Sequence, residues 1–72
     1  MDKETLKLIN EYKLKIMDCK RDLRATDYKA LKYAEGELSF EEYEPTLIER
    51  RELRVAINSY EQRIAELKGE AT

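Results

Sequence analysis

"KYAEGELSFEEYEP", residues 32–45, contains Gly36 and Pro45, the two residues that punctuate the middle of the chain. Gly36 stands where a helix C-cap belongs, because glycine takes up left-handed backbone without strain. Ser39 follows, with Glu42 three residues on. That is the spacing of a capping box, in which the hydroxyl and the carboxylate each satisfy an otherwise unpaired backbone N–H at a helix start. One helix therefore ends near Gly36 and another starts just after Ser39.

The flanking arms support this reading. Ile9, Tyr12, Ile16, Cys19 and Leu23 follow alternating steps of three and four, the rhythm of a packed helix seam. Thr26, Ala30 and Tyr33 continue it more weakly. On the other side, Leu53, Ile57, Tyr60, Ile64 and Leu67 repeat the rhythm, with Gly69 just past the end. Folded back antiparallel, Leu23 faces Leu53, Cys19 faces Ile57 and Ile16 faces Tyr60. Each pair is equidistant from residue 38, inside the turn that the caps locate. The expectation is an all-α fold: one antiparallel helical hairpin, coiled-coil-like, with a helix over about 4–35, a loop at 36–39 and a helix over about 40–68.

Two stretches complicate that outline. Thr26 and Asp27 are both good N-caps, so the first helix has a candidate break there. Pro45 deletes one backbone hydrogen bond, which predicts a continuous helix bent near Pro45; the alternative is a short turn over Phe40–Glu44, with Pro45 opening the long helix.

A chain of 72 residues is one small domain near the lower limit for a self-sufficient core. Charged and hydrophobic residues each make up 42% of it, the balance of amphipathic helices rather than of a disordered chain. The charge is unevenly laid out. Residues 1–34 carry nine bases and six acids, residues 35–49 six glutamates and no base, and residues 50–72 five bases and four acids. An acidic belt between mildly basic arms is unlike the strong basic field of a general nucleic-acid binder. No apolar run is long enough to span a membrane, and no signal-peptide core follows Met1. One cysteine excludes an intramolecular disulfide, and the default compartment is a reducing cytoplasm.

Catalysis is poorly provided for. The chain has no histidine, the commonest general base and metal ligand. Cys19 falls on the apolar seam, where a thiol is normally an inert small hydrophobe. Phosphate-cradling glycine loops and zinc spacings are missing, and the glutamates lack the alternating oxygen spacing of a calcium loop. The expectation is a non-enzymatic protein with no cofactor and no metal.

Two surfaces are candidates for binding. At the tip, Glu35, Glu37, Phe40, Glu41, Glu42, Tyr43 and Glu44 form an acidic, aromatic cluster with Tyr33 nearby. Acids at a helix start suit its macrodipole, which accounts for Glu41, Glu42 and Glu44 alone. Glu35 and Glu37, at the end of the first arm, fit better with a face selected for a basic partner, with the aromatic rings as anchors. The plain alternative is a solvated charge run. Along the arms, a second apolar set lies off the seam: Leu14, Met17, Tyr28 and Leu31, interrupted by Arg21 and Arg24, and Ile48 with Val55. Lysine and arginine stems covering these side chains is one reading. Self-association through Leu14, Met17, Leu31, Ile48 and Val55, as a homodimer forming a four-helix bundle, is the other. Lys13, Lys20, Arg21, Arg24, Arg50, Arg51 and Arg54 are assigned mainly to charge pairing, with Glu11 and Lys15 a well-oriented pair four apart.

Residues 25–58, "ATDYKALKYAEGELSFEEYEPTLIERRELRVAIN", resemble small helical proteins, most of unassigned role, encoded by tailed bacteriophages and prophages. The Thr-Asp-Tyr start, the "KYAEG" turn, the "EEY" element and the arginine-rich stretch ending in Ile-Asn carry the likeness; Leu53 stands near a position where related proteins often have Trp. The resemblance implies a phage or prophage product acting in the cytoplasm of a bacterial host. Within that frame the first expectation is an accessory interaction protein of virion or tail assembly. The alternative is an inhibitor of a bacterial defence complex, anti-CRISPR-like, acting through its acidic tip. Nucleic-acid binding through the basic arms ranks below both.

Overall fold

The computed structural model describes residues 1–69, and two α-helices account for nearly all of them. Helix α1 spans Lys3–Ala34 and α2 spans Phe40–Leu67, joined by residues 35–39. They fold back on one another as an antiparallel hairpin measuring 51 × 22 × 15 Å. A helix of 32 residues is about 48 Å long at 1.5 Å per residue, so α1 alone sets the length. The radius of gyration is 16.0 Å, against about 11 Å for a globular chain of this size. Elongation gives the molecule much surface and a thin core.

Local chemistry sets the helix ends. At the start of α1 the Asp2 carboxylate accepts the Thr5 N–H at 2.7 Å, an N-cap that the spacing analysis did not assign. At its end Gly36 has φ +80°. The Gly36 N–H donates to the Tyr33 carbonyl at 3.0 Å and the Glu37 N–H to that of Lys32 at 2.8 Å, the paired bonds of a Schellman turn. The capping box then forms as predicted. Ser39 Oγ accepts the Glu42 N–H at 3.1 Å and Glu42 Oε1 accepts the Ser39 N–H at 3.1 Å. Helix α2 runs through Pro45 without interruption, so the separate Phe40–Glu44 turn is not adopted. Gly69, at φ +74°, follows its last turn.

The seam lies where the three-four spacing puts it. Ile9, Ile16 and Ile57 are buried, with Tyr43 and Thr46 beside them nearer the tip. Tyr12, Cys19, Leu23, Leu53, Tyr60 and Ile64 are half-buried along the same line. The rings of Tyr12 and Tyr60 meet at 5.8 Å, and the Lys15 ammonium lies over both. Lys15 thus serves the seam through cation–π contacts rather than pairing with Glu11. No side chain among the described residues is fully sealed from solvent. A two-helix core has no third layer to close over it.

The candidate break at Thr26–Asp27 does not occur: α1 is continuous there, as the outline of one helix over about 4–35 has it. The Thr26 hydroxyl turns back onto the Leu23 carbonyl at 2.8 Å, a local bond compatible with helix. Arg50 of α2 reaches this point from across the seam. Its Nη1 donates to Leu23 O at 2.9 Å, Thr26 Oγ1 at 2.7 Å and Asp27 Oδ1 at 2.9 Å. The two residues that signalled a helix start are the receptor for a cross-helix arginine.

Candidate functional site

Three surfaces emerge: the tip and the two outward flanks of the hairpin. At the tip, Glu35, Glu37, Phe40, Glu41 and Glu44 are exposed, as the sequence suggested. Glu42 is exposed too but engaged, its carboxyl held below the ordinary carboxylate range by the bonds from the Ser39 backbone and hydroxyl. Tyr43 corrects the sequence reading. It is only 7% exposed and stacks on Tyr33 at 4.6 Å between centroids and 6° between planes. Its ring belongs to the core and cannot anchor a partner. The reason is positional: continuing the three-four spacing back from Leu53 lands on Arg50, Thr46 and Tyr43, which all turn inward.

Phe40, in contrast, is 51% exposed, its ring tilted at 55° to that of Tyr33 with 6.4 Å between centroids. The tip therefore offers one apolar ring amid carboxylates, with a second half-covered behind it. Among the described residues no three acidic or cysteine side chains converge to hold a metal ion.

The leftover apolar residues are indeed outside the seam. Leu14, Met17, Tyr28, Leu31, Ile48 and Val55 are all about half or more exposed. At about 100° per residue, Leu14, Met17, Tyr28 and Leu31 lie roughly 140° around α1 from its seam. Ile48 and Val55 lie nearly opposite the seam of α2 by the same measure. The residues grouped for self-association thus form two patches on opposite edges of the hairpin, and a single two-fold contact covers only one. Between two helices side by side, both outer edges face solvent.

The basic residues divide by environment. Arg21 makes surface pairs with Asp18 at 3.4 Å and Asp22 at 3.7 Å, exposed contacts worth little to stability. Arg50 is sequestered, its side chain 11% exposed and paired with Asp27 at 2.9 Å, so its role is structural. Lys32 lies 4.9 Å over the Tyr28 ring. No helix of the described residues is long and apolar enough to cross a membrane.

An open depression of about 450 Å³ lies on α2 alone, lined by Arg51, Glu52, Val55, Ala56, Ser59 and Tyr60. A smaller one, about 170 Å³, opens where the helices meet, between Tyr12 and Leu67. Compared with protein families, with curated proteins and with solved structures, the chain matches none.

Proposed function

We propose that this chain is a non-enzymatic protein-interaction module, a phage or prophage accessory of the virion- or tail-assembly kind, working in the bacterial host cytoplasm. The observation that carries the reading is the contrast between core and surface. Among the described residues four apolar side chains are buried, whereas Leu14, Met17, Tyr28, Leu31, Ile48 and Val55 are left on the outside of the same two helices. A hairpin this size holds a margin of only a few kcal/mol from its own core. Covering the outer residues with another protein offsets that shortfall, and a chain built as two long amphipathic ribs presents them along its whole length.

Capture from a prophage-carrying bacterium, with the wild-type chain and L14E/M17E as baits, tests this. The expected result is a structural phage protein, or the chain itself, retained by the wild type and lost with L14E/M17E. Identical sets on both baits would contradict the reading.

The tip supports a second reading, inhibition of a bacterial defence complex by filling a basic channel. Its support is the half-exposed Phe40 among the free carboxylates of Glu37, Glu41 and Glu44. Reversing Glu37, Glu41 and Glu44 to Lys spares the capping box and should abolish inhibition with helicity unchanged. Full inhibition by that triple variant would remove the reading.

A further inference from the structure

The two flanks differ in charge as well as position. The outward third of α1 holds Leu14, Met17, Tyr28 and Leu31 with Lys13, Arg21 and Arg24, and no acidic residue. The acids of α1 gather elsewhere: Glu4, Glu11, Asp18 and Asp22 along one lateral strip, Asp27 beside Arg50. Along the sequence acids and bases interleave; around the helix they separate except at Arg21, which pairs with Asp18 and Asp22 where the two strips border. The outward third of α2 has the reverse character, with Ile48 and Val55 among Glu41, Glu44, Glu52 and Glu66 and a single base, Arg51. On this flank lies the depression beside Val55, where the small side chains of Ala56 and Ser59 leave room.

We propose that the α1 flank of one copy docks on the α2 flank of a second copy, so that hairpins associate side by side through unlike faces. This names the partner for the docking module inferred above and rests on that reading. The register within the hairpin determines what meets. Arg50 stands level with Thr26, and Tyr43 with Tyr33. A copy shifted across the hairpin's width keeps those levels. Tyr28 then faces Ile48 of the next copy, Arg24 faces Glu52, Lys32 faces Glu44, and Met17 faces Ser59 at the mouth of the depression. Tyr28 thus meets an apolar side chain and two bases meet acids, while Val55 lies level with Arg21.

Like-face pairing leaves one flank uncovered. An antiparallel α1–α1 contact that joins Leu14 and Met17 to Leu31 and Tyr28 sets Arg21 and Arg24 of the two copies against each other and leaves Ile48 and Val55 in water. An α2–α2 contact that joins Ile48 to Val55 leaves Leu14, Met17, Tyr28 and Leu31 in water. Because the faces are unlike, each docked copy offers a fresh flank, and the contact propagates into rows or closes into rings. Its charged part weakens as salt rises.

Sedimentation velocity on the full chain tests this, over roughly 10 to 500 µM, the range of a weak interface, at low and high salt. Met17→Glu blocks the α1 flank by facing its glutamate-rich partner, and Val55→Lys blocks the α2 flank by facing Arg21 and Arg24 of the next copy. Both sites are exposed, at 62% and 68%, so the fold is retained, and far-ultraviolet circular dichroism checks it. The expected wild-type result is a mass rising above 8.6 kDa with concentration and falling with salt. M17E alone and V55K alone stay monomeric, and their equimolar mixture forms a one-to-one dimer and nothing larger. A wild type that is monomeric throughout overturns the proposal. So does a mixture that stays monomeric, or a V55K that still self-associates while M17E does not. A monomeric wild type that nevertheless retains a foreign phage protein in the capture experiment would end this inference and leave the docking-module reading standing.

Discussion

Arg50 on α2 and Thr26 on α1 meet at 2.7 Å, and this contact fixes the register of the hairpin more sharply than any apolar pair. An apolar seam of leucines and isoleucines tolerates sliding. A guanidinium that serves a carbonyl, a hydroxyl and a carboxylate at one level does not.

Arg50→Met keeps the apolar stem and removes the donors. Its expected cost is about 1–3 kcal/mol, and Thr26→Val about 1 kcal/mol, read from urea unfolding. Because both changes remove the same bond, the double variant should lose less than the two single losses together. An R50M transition at the wild-type midpoint would leave the contact without an energetic role.

Tyr43 and Phe40, three residues apart, should behave oppositely. Tyr43→Ala empties a core position, a loss of about 3–5 kcal/mol that a thin hairpin cannot absorb, so helicity at 25 °C should collapse. Phe40→Ala, at a half-exposed ring, should shift stability by less than about 1 kcal/mol. Circular dichroism on the two variants decides; equal effects would mean that the tip is packed differently.

Acid should loosen both helix starts. Asp2 accepts the Thr5 N–H and Glu42 the Ser39 N–H, and each carboxyl titrates below its ordinary range. A depressed pKa in the folded state adds stability above the unfolded-state value, about 4, and that stability is lost as pH falls through the folded-state value. Thermal unfolding of wild type and Glu42→Gln should therefore differ most near pH 7 and converge as pH falls below about 4. A gap between the two that is constant with pH would show that the carboxylate charge plays no part in the cap.

At Gly36 no atom beyond its chain neighbours stands within 4 Å of where a Cβ would be, so only backbone conformation opposes a side chain. Gly36→Ala should cost about 1 kcal/mol, and Gly36→Asn less, since asparagine tolerates left-handed backbone. Equal stability of G36A and wild type in urea would show that the turn does not require φ +80°.

Much of this fold was legible in the sequence, for physical reasons. The seam appeared because Ile9, Ile16 and Ile57 are purely apolar and fall on a helical period, and the turn because Gly36, Ser39 and Glu42 each do one local job. What was missed involves side chains with two possible uses. Tyr43 is apolar enough for the core and polar enough for a surface, and its neighbouring glutamates drew it to the tip. Thr26 and Asp27 cap helices in one setting and receive an arginine in another; only the partner strand of contacts from α2 distinguishes them. The candidate binding residues Leu14, Met17, Leu31, Ile48 and Val55 were correctly read as off the seam. Their division between opposite flanks follows only once each helix is wrapped around its own axis.

Nuclear Overhauser contacts between the tyrosine rings, on dilute protein, test the antiparallel register most directly. Folded back as described, the chain should give cross-peaks between the Tyr12 and Tyr60 rings and between the Tyr33 and Tyr43 rings. Full helicity with neither cross-peak would mean that the two helices do not lie side by side in this register, and the seam and both flanks would have to be assigned afresh.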